Sequence, residues 1–173
     1  MLEDKLSSKN KIVFLDRDGT INELKTDYVK KLSEFIILPN VGKYLSKLTL
    51  SGFKIVIVTN QSAVGRGLIP LDELDQIHKF LIERFSDDNC TINKIFFCPH
   101  TPTDFCSCRK PNTFLFEKAF KELSPIDIEN CWMIGDSESD ILAAKKLDIK
   151  SILIKSNQSL EEPINKILDS ITK

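Results

Sequence analysis

Four short stretches of this chain hold side chains that could do chemistry together. Asp16-Arg17-Asp18-Gly19-Thr20 follows the apolar run Ile12 to Leu15. If the extended backbone persists for two more residues, Asp16 and Asp18 project to the same side. Two carboxylates at close range repel unless a cation or a proton lies between them. The pair therefore suits a metal site, with one carboxylate free to act as nucleophile or general acid. Asp-Gly is also a common turn pair, so this stretch by itself reads equally as a polar turn. Thr59-Asn60-Gln61-Ser62 sets four hydrogen-bonding side chains in a row, able to hold phosphate oxygens or simply to cap a loop. Gly65-Arg66-Gly67 offers a cation on a flexible loop. Gly135-Asp136-Ser137-Glu138-Ser139-Asp140 supplies further carboxylates. Asp136 is expected at the same edge as Asp16 and Asp18, where three carboxylates plus water and phosphate oxygens form an oxygen-only shell of the kind Mg²⁺ takes. Asp140 is expected to open a helix, as a cap favoured by the dipole or as support behind that shell.

A second constellation is sulfur-rich. Of five cysteines, Cys98, Cys106 and Cys108 fall in one short stretch with His100, one of only two histidines. Three thiols and an imidazole are a common tetrahedral zinc set, and four protein ligands leave no open position, so the expected zinc is structural. The C-x-H and C-x-C spacings are not those of a DNA-reading finger. Free thiols or a C-x-C redox pair are the alternative reading, and an odd cysteine count argues against a disulfide framework. Arg109-Lys110-Pro111 comes next. A loop pinned by metal would hold these two cations in place, a planar fork beside a point charge, suited to a ligand carrying phosphate. The other histidine, His78, falls mid-helix and reads as an ordinary surface or boundary residue.

The elements that must position these groups alternate. Strands are expected at Ile12–Leu15, Ile55–Val58, Lys94–Phe97, Cys131–Ile134 and Ser151–Ile154, all rich in Ile, Val and Phe without polar alternation, as strands buried on both faces are. Helices are expected at Val41–Leu50, Leu71–Phe85, Thr113–Leu123, Asp140–Leu147 and Pro163–Ile171. Alternation of this kind predicts a Rossmann-like parallel sheet of about five or more strands covered by helices on both faces. Ligands of such folds bind beyond the carboxyl ends of the strands, which is where every stretch above falls. The gap from Thr20 to Val41 is too short for an inserted lid, so the zinc loop and residues 22–33 are expected to wall the site.

The length of 173 residues suits a single domain over 1–173, with 42% hydrophobic and 28% charged residues in the globular range. A net charge of −1 argues against a broad nucleic-acid surface. No P-loop spacing is present, which argues against a kinase of that type. The polar opening residues and the absence of a long apolar run predict no signal peptide, no membrane span and a cytoplasmic monomer.

Together these elements resemble the haloacid dehalogenase superfamily of phosphatases. Phe14-Leu15-Asp16-Arg17-Asp18-Gly19-Thr20 is similar to its first motif, Thr59 to its second, Lys110 to its third and Gly135-Asp136 to its fourth. Within it, Cys-Pro-His…Cys-Ser-Cys-Arg-Lys-Pro from Cys98 to Pro111 resembles a zinc-containing branch. That branch holds D-glycero-D-manno-heptose 1,7-bisphosphate 7-phosphatases and histidinol-phosphate phosphatases. Val58 to Ser62, Arg66-Gly67 and Tyr28-Val29 look more like the heptose enzymes. Asn112-Thr113-Phe114 and Ser137 depart from them, standing where many carry Pro-Gly and lysine.

The resemblance implies that Asp16 is the nucleophile and Asp18 the general acid and base. It implies Mg²⁺ on Asp16, on Asp136 and on the backbone carbonyl of Asp18, with Thr59 and Lys110 on the phosphoryl oxygens. Asn60, Gln61, Ser62, Arg66 and Arg109 are then candidates for recognising the rest of a small sugar phosphate. A histidinol-phosphate phosphatase is the nearest alternative, and a zinc-stabilised binding module without catalysis is the alternative of another class.

Overall fold

The computed structural model describes residues 9–171. Five strands, β1 (Lys11–Leu15), β2 (Phe53–Asn60), β3 (Ile92–Cys98), β4 (Trp132–Gly135) and β5 (Lys150–Leu153), form one sheet in the order β3-β2-β1-β4-β5. Every pairing is parallel. Between and after the strands run α1 (Val41–Leu50), α2 (Ser62–Gly65), α3 (Leu71–Asp87), α4 (Phe114–Glu122), α5 (Glu138–Lys146) and α6 (Glu161–Ile171).

Successive strand residues face opposite sides, and β1 divides accordingly. Val13 and Leu15 pack with Leu45 and Leu48 of α1, Leu74, Ile77 and Leu81 of α3, and Ile164 and Ile167 of α6. Ile12 and Phe14 pack on the other face with Phe116 and Ala119 of α4 and with Ala143 and Ala144 of α5. This explains why the strands carry no polar alternation: both faces are covered. The chain builds outward from β1 to β2 and β3, then returns across it to β4 and β5. The order therefore reverses beside β1, and the crevice for a ligand opens at the carboxyl ends of β1 and β4.

No inserted domain occupies the link from β1 to α1 among the described residues; it holds one 3-10 turn, Leu32–Glu34, and two isolated bridges through Asn22. None of the described helices is long and apolar enough to cross a membrane.

Phe116 is fully buried, with its ring centroid 4.9 Å from that of Phe14. Phe116→Ala is expected to cost about 3–5 kcal/mol, because the site cannot collapse around so large a void. Urea unfolding at fixed metal content measures it.

His78 departs from expectation. It is only 7% exposed. Four residues after Leu74 and three before Leu81, it lies on the buried face of α3 instead of at the surface or boundary.

Candidate active site

The site forms where β1, β2 and β4 end. Asp16 follows β1 directly, its N–H donating to the Ile134 carbonyl of β4 at 3.0 Å. The chain then turns sharply, with the N–H groups of Ile21 and Asn22 donating to the Arg17 carbonyl. Gly19 is required here twice over. Its φ of +82° is left-handed, and a Cβ would stand 2.1 Å from Asp136 Oδ2. Gly135 meets the same limit, since its Cβ would lie 2.2 Å from Asp140 Oδ2.

Lys110 is the centre of charge. Its ammonium, 1% exposed, lies 2.9 Å from Asp16 Oδ1 and 2.6 Å from Asp140 Oδ1. It also donates to the Val58 carbonyl at 2.6 Å. Burial works against the Lys110 charge, but Asp16 and Asp140 outweigh it and hold its pKa above the usual range. For Asp16, burial dominates over the attraction of Lys110 and, with repulsion from Asp140, pushes its carboxyl up to about 7. Burial also raises Asp136, against a hydrogen bond from Ser156 at 2.5 Å.

Carboxylate oxygens of Asp16, Asp136 and Asp140 all lie within 4.8 Å of one another. The Lys110 ammonium pairs with two of these three acidic groups, Asp16 and Asp140, so the cluster has more carboxylates than paired cations among hard oxygen donors. That donor set fits a divalent cation such as Mg²⁺. The third side chain in this cluster is Asp140, whereas the sequence pointed to Asp18. Asp140 also caps α5 reciprocally with Ser137.

The Asp18 carboxylate turns aside to the Arg17 guanidinium, at 2.9 Å, and to the amides of Asn22 and Gln61, at 2.9 and 2.7 Å. Burial opposes its ionisation, but Arg17 and these hydrogen bonds hold the carboxyl below its usual range. Asp16 and Asp18 thus sit in opposite electrostatic settings two residues apart.

A cavity of about 480 Å³ opens over these groups, lined by Lys25, Tyr28 and Val29 on one side and by Thr59, Ser62 and Arg109 on another. A larger hollow, about 750 Å³, borders α6, but it is the open flank of a helix and meets none of the strand-end carboxylates.

Beside the cavity, ligand atoms of Cys98, His100, Cys106 and Cys108 lie within 4.8 Å of one another. The Cys98 sulfur is 3.1 Å from that of Cys108 and 3.5 Å from that of Cys106, and the His100 Nδ1 is 3.2 Å from the Cys108 sulfur. Tetrahedral ligands about 2.3 Å from a shared centre stand roughly 3.8 Å apart, so the quartet is sized for one metal ion. The same loop is stitched to α2, as Gly65 N–H donates to the Pro99 carbonyl and Gln61 N–H to that of Cys98. Cys98→Ser is expected to lower metal content and melting temperature together, read by elemental analysis and calorimetry.

Comparison with known proteins decides the family. A D-glycero-beta-D-manno-heptose-1,7-bisphosphate 7-phosphatase of Pseudomonas aeruginosa is 33% identical over 149 residues, covering 86% of this chain and 83% of that protein. The chain belongs to the haloacid dehalogenase-like phosphatases. The family model described as HAD-hydrolase-like matches residues 107–172. Among solved structures, the D,D-heptose 1,7-bisphosphate phosphatase of B. bronchiseptica, complexed with magnesium and phosphate, is similar with a TM-score of 0.79 at 30% identity. That match covers 92% of this chain and 86% of the other. The Histidine biosynthesis bifunctional protein HisB of Legionella pneumophila is 34% identical over 94% of this chain, which spans 46% of that longer protein.

As a haloacid dehalogenase-like phosphatase the chain is a phosphoric monoester hydrolase. Its site uses the sequence-selected residues unevenly. Asn60 has its amide engaged on the protein, accepting from Lys110 N–H at 3.0 Å and donating to the Lys110 carbonyl at 3.3 Å. Gln61 is engaged at both ends of its amide as well, its nitrogen donating to Asp18 at 2.7 Å and to Thr59 Oγ1 at 2.8 Å and its oxygen accepting from Arg17 at 2.9 Å. Both line the cavity, but with their amides held by neighbouring protein groups. Arg66 is exposed and does not line the cavity, because Ser62–Gly65 winds into a helical turn and carries it outward. Ser156 and the buried Arg17 escaped the sequence reading, and Asn22 entered it only as the start of the segment that walls the site. Ser156 sits in a loop that only the fold brings near, while the closeness of Arg17 and Asn22 in sequence to Asp18 was the available signal.

Proposed function

We propose that this chain is a Mg²⁺-dependent phosphatase that removes the 7-phosphate of D-glycero-D-manno-heptose 1,7-bisphosphate through a phospho-Asp16 intermediate. The observation that carries the reading is the Asp16–Lys110–Asp140 contact beside Asp136, at a cavity that Asp16, Asp18, Lys110 and Asp136 line together. Mg²⁺, held by Asp16, Asp136 and the backbone carbonyl of Asp18, would offset charge on the phosphoryl group. Asp16 attacks phosphorus in line, forming a bond from its carboxylate oxygen as the bond to the sugar oxygen breaks. Lys110 and Thr59 meet the equatorial oxygens, where charge gathers in the transition state.

Asp18 gives the leaving oxygen its proton, then takes one from the water whose oxygen displaces Asp16 and releases orthophosphate. Arrival of an anionic ester beside Asp18 raises its proton affinity, which suits it to carry that proton. Arg109 and Ser62 recognise the remainder of the substrate. Cys98, His100, Cys106 and Cys108 hold a structural Zn²⁺ that fixes the approach to Arg109 and Lys110. The protein acts as a cytoplasmic monomer and a single domain, supplying the heptose 1-phosphate for surface polysaccharide.

Relatives of similar length that act on heptose bisphosphate, together with the magnesium- and phosphate-bearing neighbour, favour this substrate. The match to the histidine-biosynthesis protein keeps histidinol phosphate as the second reading. Parallel turnover assays separate the two: kcat/KM is expected to favour heptose bisphosphate, and a preference for histidinol phosphate reverses the assignment. EDTA-treated protein that retains zinc is expected to regain activity with Mg²⁺ alone. If no phosphate ester is hydrolysed with Mg²⁺ present, a non-catalytic binding module takes its place.

A further inference from the structure

Arg17 is a charged side chain almost wholly withdrawn from solvent, only 1% exposed, at the wall of the cavity. One guanidinium nitrogen, Nη2, reaches both Asp18 oxygens, at 3.0 and 2.9 Å, and donates to Gln61 Oε1 at 2.9 Å. Gln61 returns a hydrogen bond to Asp18 Oδ2 at 2.7 Å, closing a ring of three side chains around the carboxylate. The other nitrogen, Nη1, faces His78 Nε2 at 3.3 Å. A guanidinium only donates, so His78 must present a lone pair at Nε2 and keep its ring proton on Nδ1. Burial, then the Arg17 charge, pushes the imidazole down to about 3 and keeps it neutral. Phe35 lies under the guanidinium at 5.5 Å and Phe97 beside the imidazole at 5.4 Å, so apolar walls surround the pair. His78 does not line the cavity.

We propose that His78 is a positioning residue for the reaction: from the buried face of α3 it accepts from Arg17 and so fixes the guanidinium that, with Gln61, aims Asp18. The inference rests on the proposed acid–base role of Asp18. A guanidinium held on one side only can swing about its Asp18 contact, and small misplacements of a catalytic group are costly. The bland alternative is a core histidine that fills space and happens to find a partner.

The two differ in which step suffers. His78→Leu keeps bulk but removes the acceptor. On heptose bisphosphate, whose leaving oxygen needs a proton, kcat is expected to fall roughly tenfold to a hundredfold with KM within about twofold of wild type. On p-nitrophenyl phosphate the leaving group needs little protonation. The rapid burst of p-nitrophenol should therefore persist at near wild-type rate while steady turnover slows, because water must still be deprotonated by Asp18. His78→Gln, whose amide oxygen can take the acceptor place, should restore kcat. If His78→Leu does not fold, His78→Asn, too short to reach Arg17, replaces it with the same expectations.

Unchanged kcat on heptose bisphosphate would overturn the proposal. So would a burst that falls in step with steady turnover, or a glutamine variant no better than leucine. A wild-type protein without Mg²⁺-dependent hydrolysis instead overturns the phosphatase reading, and this inference with it.

Discussion

Asp16→Asn is expected to lose turnover by several orders of magnitude while leaving the fold intact. The proposed covalent step has one nucleophile, Asp16: Asp136 and Asp140 face the same cluster, but Asp140 is engaged by Lys110 and Ser137 and Asp136 by Ser156. The amide oxygen of asparagine can keep the places of Asp16 Oδ1, which accepts from Arg17 N–H at 2.8 Å and lies 2.9 Å from the Lys110 ammonium. Stability should respond in the opposite direction from activity. The Asp16 carboxyl titrates higher folded than unfolded, so the folded state binds the extra proton between about pH 4 and 7. In metal-free wild type this group therefore subtracts stability as pH rises through that window. Metal-free Asp16→Asn should melt no lower than wild type at pH 7, and should gain less from added Mg²⁺. Near-normal phosphate release by this variant would remove the nucleophile assignment.

Lys110→Met should damage both properties. The ammonium is the only cation in contact with Asp16 and Asp140 among the described residues, and it is buried with them. Removing one partner from a buried charge cluster typically costs about 3–5 kcal/mol, because the carboxylates left behind are neither solvated nor paired. Loss of the proposed donor to the phosphoryl oxygens should lower kcat about 100- to 1000-fold on top of any unfolding. Denaturant melts and turnover on the folded fraction separate the two effects. The double variant Lys110→Met with Asp140→Asn should recover part of the stability, since it removes one orphaned charge, yet none of the activity. If it recovers both, Lys110 serves the fold and has no part in the chemistry.

The elements were legible because their signals are local. Val41–Leu50 is bounded as expected between Asn40 and Gly52, and the Ile, Val and Phe runs form the five strands within a residue or two. The catalytic stretches were legible for the same reason: each is contiguous, and a parallel sheet sends all of them to one edge. The Cys/His quartet needed only four candidate ligands in a short loop, and the structure brings all four together.

What composition and spacing alone determined about this protein is therefore its sheet, its strand-end site and the gathering of three cysteines and a histidine in one loop. Only the tertiary structure decided how the polar groups divide their partners. Asp18 turns to Arg17 and leaves its place in the carboxylate cluster to Asp140; Gln61 and Asn60 face inward; His78 enters the core, and Arg66 leaves the cavity. The reason is physical. Strand and helix preferences depend on neighbours a few residues away, whereas the orientation of a buried charge depends on whichever opposite charge or dipole the whole fold sets within about 3 Å of it.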